Sequence, residues 1–85
     1  MKSHKEYKTA LTLLGNKIYT HRVLKNLTTK EIAAAVSLTP QAFRNIEKGE
    51  SDPSYTTLLL ISETLQIDCS ELFKPNSIQA NQFGK

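Results

Sequence analysis

The sequence predicts an all-α domain built from five short helices, and three observations predict it. Apolar residues recur at spacings of three and four, and no segment of any length shows the strict alternation of a strand. Side chains suited to helix N-caps precede those runs, at Thr28, Thr39, Ser54 and Asp68. Residues suited to stopping a helix follow them, at Asn26, Gly49 and Pro75.

In chain order, residues 1–8, "MKSHKEYK", are polar and basic and read as a loose arm. Leu11, Leu14, Ile18 and Arg22 share one side of a first helix, which is expected to end near Lys25–Asn26. Thr28 opens the second helix as a capping box, because Glu31 lies three residues on and can reach back to the Thr28 amide. Ile32, Ala33 and Val36 supply its buried side, and Ser37 and Leu38 make the turn. Thr39 caps the third helix. Pro40 holds its first position, where a missing N–H costs nothing. Phe43 and Ile46 face inward, and Gly49 ends that helix. After the loop "ESDPS", Ser54 caps a fourth helix with Leu58, Ile61 and Leu65 inward. A last short helix is expected from Asp68, boxed by Glu71, with Leu72 and Phe73 inward and Pro75 as its stop. The organisation is thus an arm over 1–8, a helical domain over 9–74 and a tail over 75–85 that is polar except for Ile78 and Phe83.

Composition narrows the function. Eighty-five residues make one domain, near the lower end of what folds around its own core. Cys69 is the only cysteine and cannot form an internal disulfide, and with His4 and His21 it lacks zinc-site spacing. No metal or cofactor is expected, and Cys69 reads as a small hydrophobe. The longest apolar run, Leu58–Ile61, is neither a membrane span nor a signal-peptide core, and the lone thiol of Cys69 makes the reducing cytoplasm the natural setting. The net charge of +3 suits a polyanionic partner but is common among proteins with other partners. There is no glycine-rich phosphate loop and no nucleophile–base–orienter set, so no catalytic residue is assigned.

Two capped helices joined by a short turn form the helix-turn-helix shape, in which the second helix braces the third so that it can enter a DNA major groove. An ordinary helical corner inside a bundle fits the same geometry. The wider pattern goes further. Residues 14–73 resemble the lambda-repressor/Cro-like (Xre-type) DNA-binding family without a gap. The resemblance is carried by Arg22, Leu27–Thr28, Ile32–Ala33, "IEKG" at 46–49, Pro53–Ser54, Leu58, Leu65 and "ELF" at 71–73. It implies a compact five-helix domain that binds operator DNA, usually as a symmetric dimer, in a cytoplasmic protein of bacterial or phage origin. Two positions depart from the family. Thr29 stands where a phosphate-bonding Gln is frequent, and Ser37 where Gly is common. A left-handed backbone at Ser37 costs roughly 1 kcal/mol.

Arg22 and Glu47 both fall on apolar sides of their helices, where either charge alone would cost several kcal/mol. They are expected to pair and lock the third helix to the first. By family position, Gln41, Ala42 and Asn45 are the candidates for base edges: Gln and Asn match adenine, and the Ala42 methyl matches thymine. Arg44 suits a phosphate, as do Thr29 and Thr39 at helix starts, while Lys48 and Ser51 are candidates for the backbone. Solvated polar residues are the alternative for each. Leu60 lies off the inward stripe of its helix and, with Ile67, Ile78 and Phe83, is the candidate for a homodimer patch. The expected partner is therefore double-stranded DNA bound by a homodimeric repressor. The alternative is an antitoxin-like module that holds a protein partner through its tail and controls its own promoter.

Overall fold

The computed structural model describes residues 4–74; the expectations placed on Pro75, Ile78 and Phe83 lie outside them. Four α-helices and a 3-10 turn follow in order: α1 (His4–Leu24), α2 (Thr29–Ala35), α3 (Pro40–Glu47), α4 (Tyr55–Leu65) and the turn Cys69–Phe73. No strand occurs among the described residues.

The helix starts follow local chemistry. The Glu31 N–H donates to Thr28 Oγ1 at 3.0 Å while the Thr28 N–H donates to Glu31 Oε1 at 2.8 Å, a reciprocal box. Thr39 Oγ1 accepts from the Ala42 N–H at 3.0 Å, and Ser54 Oγ from the Thr57 N–H at 3.1 Å. The stops are left-handed residues, Asn26 (φ 58°) after α1 and Gln66 (φ 61°) after α4. The core gathers Ile18, Ile32, Phe43, Ile61 and Leu65, each fully buried, with Leu58 and Leu72 beside them. Leu14, Leu27, Leu38, Ile67 and Cys69 pack half-buried against it.

Four expectations are corrected. Residues 4–8 are not a loose arm: α1 extends back to His4. Tyr7 donates its hydroxyl to Asp52, and Lys8 Nζ donates to the Gly49 carbonyl at 2.8 Å. These tertiary partners lie more than 40 residues along the chain, beyond the reach of local periodicity. The last element is a 3-10 turn, because five residues leave little room for i→i+4 bonds. It is closed by the Glu71 N–H on the Asp68 carbonyl at 2.8 Å. The Glu71 carboxylate does not complete a capping box; it takes Lys74 Nζ at 2.8 Å. Phe73 turns outward, 58% exposed, since in a turn of about three residues Leu72 takes the inward side and its neighbour cannot.

Candidate nucleic-acid interface

The turn between α2 and α3 depends on one residue, Ser37, whose φ of 61° is left-handed. That reversal lets the Leu38 N–H return to the Ala33 carbonyl at 2.8 Å and aims α3 away from α2. Phe43 and Ile46 then bury the inner side of α3, leaving its other side to solvent.

The C-terminal end of α3 sits directly on α1. Gly15 is what permits this approach: a Cβ there would lie 2.3 Å from the Glu47 carbonyl oxygen and 2.6 Å from that of Ile46. A short helix is thus clamped at close range, backbone against helix. Beside the clamp, Arg22 Nε donates to Glu47 Oε2 at 2.7 Å and Nη2 to Oε1 at 3.3 Å. Nη1 donates to the Leu27 carbonyl at 2.9 Å, and the guanidinium lies 5.3 Å from the Tyr19 ring centroid. The two side chains retain 13% and 9% exposure, so the fork-shaped pair is largely withdrawn from water and ties α3 to both ends of the α1–α2 connection.

Gln41, Arg44 and Lys48 are exposed on the outward side of α3, with Ala42 and Asn45 half-buried at its edges. Gln41 Nε2 donates to Asn45 Oδ1 at 3.0 Å, so the two amides form one unit across a helical turn. Thr39 stands at the start of this ridge with its hydroxyl engaged as the cap. Ser51 lies half-buried in the loop after α3.

Flanking the ridge is an open cleft lined by Asn16, Tyr19, Arg22, Thr29, Arg44, Glu47 and Lys48. It unites three of the DNA-contact candidates, Thr29, Arg44 and Lys48, and leaves Thr39, Gln41, Ala42, Asn45 and Ser51 outside. Because Arg22 and Glu47 neutralise one another, the charge of the cleft comes from Arg44 and Lys48. Neither forms an ion pair among the described residues. Asn16 and Tyr19 were not candidates from sequence; their only signal is a position on α1 beside Arg22. Of the apolar candidates, Leu60 is 38% exposed on α4 and Ile67 packs half-buried on the core.

The comparisons agree with this geometry. A family model described as helix-turn-helix, HTH_3, matches residues 18–72. The restriction-modification controller protein C.AhdI from Aeromonas hydrophila is 25% identical, with a TM-score of 0.72 over 74% of this chain and 96% of its own. The clp gene regulator ClgR from Corynebacterium glutamicum is 23% identical, with a TM-score of 0.74 over 86% of this chain and 82% of its own. An HTH_3 family transcriptional regulator from Vibrio cholerae is 24% identical, with a TM-score of 0.72 over 79% of this chain but 38% of its own. No curated protein sequence matches the chain. With more than half of its length matched and its corner built as described, the chain belongs to the HTH_3 helix-turn-helix family, the Xre or lambda-repressor-like group of DNA-binding transcriptional regulators.

Proposed function

We propose that this protein is a sequence-specific repressor that binds double-stranded DNA as a homodimer, with α3 as its reading helix. One observation carries the reading. The outward side of α3 presents the Gln41–Asn45 amide unit beside a cleft whose unneutralised charge is cationic, while the inner side is held by the core and by the Arg22–Glu47 pair. Base edges would be read by Gln41, Ala42 and Asn45, and phosphates held by Thr29, Thr39, Arg44, Lys48 and Ser51, with Asn16 and Tyr19 closing the cleft. Leu60 supplies the exposed apolar point for pairing two copies on α4. A promoter site places the protein with the chromosome, in the cytoplasm of a bacterium.

The test is selection of bound sites from random duplex DNA, run in parallel with a Gln41→Ala/Asn45→Ala variant. The wild type is expected to enrich two half-sites centred about 34–36 Å apart. The variant is expected to keep non-specific affinity and lose the motif. Absence of any enriched motif with the wild type overturns specific reading by α3.

A further inference from the structure

Gln41 and Asn45 stand one turn apart on α3, and the bond between them fixes which of their polar atoms are left to offer. A side-chain amide carries two N–H donors and one carbonyl acceptor. Gln41 Nε2 donates one N–H to Asn45 Oδ1 at 3.0 Å. Gln41 therefore keeps its other N–H and its own carbonyl, whereas Asn45 keeps both N–H groups and has its carbonyl engaged. Asn45 is half-buried at the edge of the helix and Gln41 is exposed, so the shorter, more confined side chain braces the longer one.

We propose that the two amides read DNA as one coupled unit, Gln41 selecting adenine and Asn45 selecting guanine or thymine at the neighbouring base pair. This rests on α3 being the reading helix. Adenine shows the major groove an acceptor at N7 and a donor at N6, which the remaining Gln41 N–H and Oε1 match edge to edge. Residue type alone gives Asn45 the same match to adenine; the bond separates the two. With Oδ1 turned to Gln41, Asn45 presents donors only. Those suit O6 and N7 of guanine or O4 of thymine, and they meet the amino groups of adenine and cytosine donor to donor. The amides stand 3.0 Å apart, less than the ~3.4 Å rise of one base-pair step, so together they span neighbouring pairs. The bond also orders the long Gln41 side chain before DNA arrives, so less freedom is lost on binding. Removing Asn45 therefore damages selection at both positions.

The experiment selects bound sites from random duplex DNA with the full chain in four forms: wild type, Gln41→Ala, Asn45→Ala and Asn45→Asp. Wild type is expected to enrich adenine beside guanine or thymine, each about tenfold over the disfavoured bases. Asn45→Ala is expected to lose the second preference and to weaken the first several-fold. Asn45→Asp keeps the size of the side chain and an oxygen for Gln41 but loses both donors. Adenine is therefore expected to stay while the second position switches to cytosine, whose N4 amino group a carboxylate accepts. Gln41→Ala frees the Asn45 carbonyl, and the second position is expected to admit adenine. If Asn45→Ala erases one position and leaves the other at full strength, the amides act separately: the coupled unit is overturned while reading by α3 stands. An Asn45→Asp motif that still holds guanine or thymine at the second position, or a wild-type motif with adenine there, overturns it equally. A wild type that enriches no motif overturns both.

Discussion

Gly15→Ala sets two physical effects of opposite sign against each other. By helix propensity alone, alanine in the middle of α1 should stabilise the protein by about 1 kcal/mol. The structure predicts the reverse. The new Cβ would stand 2.3 Å from the Glu47 carbonyl oxygen, 2.6 Å from that of Ile46 and 2.7 Å from the Glu47 carbonyl carbon. Comfortable contact begins near ~3.5 Å, so α3 must retreat by about 1 Å. All three opposing atoms are backbone, which cannot swing aside as a side chain would. Overpacking of this kind costs about 1–3 kcal/mol, and a rigid neighbour puts it at the upper end. The net loss is then about 2 kcal/mol, or roughly 10 °C in Tm for a domain of this size. The retreat also stretches the 2.7 Å bond from Arg22 to Glu47. Thermal melts by circular dichroism, with the exposed α1 change Thr20→Ala as control, measure the effect. A Gly15→Ala protein as stable as wild type or more so would refute the close-approach argument.

Glu47→Ala strands the Arg22 guanidinium in a largely dry site; because Leu27 and Tyr19 still hold it, the expected loss is about 3 kcal/mol by urea denaturation, and a loss under about 1 kcal/mol would contradict a buried pair. Ser37→Gly relieves a left-handed non-glycine residue at φ 61°, and after the entropy glycine returns to the unfolded chain it should raise stability by about 0.5 kcal/mol in the same assay. Arg44→Gln and Lys48→Gln should each flatten the plot of log affinity against log salt by about 0.9 for every phosphate no longer neutralised, with equal effect on specific and random DNA. Hydrogen bonds from Ser70, chiefly its backbone N–H, hold the Asp68 carboxyl below its ordinary range. A lowered folded-state value contributes stability that is complete above the usual aspartate range and is lost as pH falls through and below it. Asp68→Asn should therefore flatten the acid side of a stability-against-pH curve, near pH 4 and below, and leave its neutral region level.

What could be read from the residues was local chemistry. The caps at Thr28, Thr39, Ser54 and Asp68, the inward Phe43 and Ile46, and the left-handed Asn26 each rest on interactions within about four positions, which the order of residues states directly. The meeting of Arg22 with Glu47 was also foreseeable, since two opposite charges on apolar sides have few other ways to avoid the cost of burial. Tertiary structure alone decided the rest. Gly15 in a helical run reads as a weak spot until α3 is seen lying on it, and Asn16 and Tyr19 join Arg44 and Lys48 only because that approach brings α1 and α3 together. Leu72 and Phe73 look alike in sequence, yet the tightness of a 3-10 turn buries one and exposes the other. The first turns of α1 are held by Asp52 and Gly49, far along the chain. Spacing along a chain encodes which side of a helix is apolar. It does not encode how near two helices can come, because that distance depends on the atoms of both.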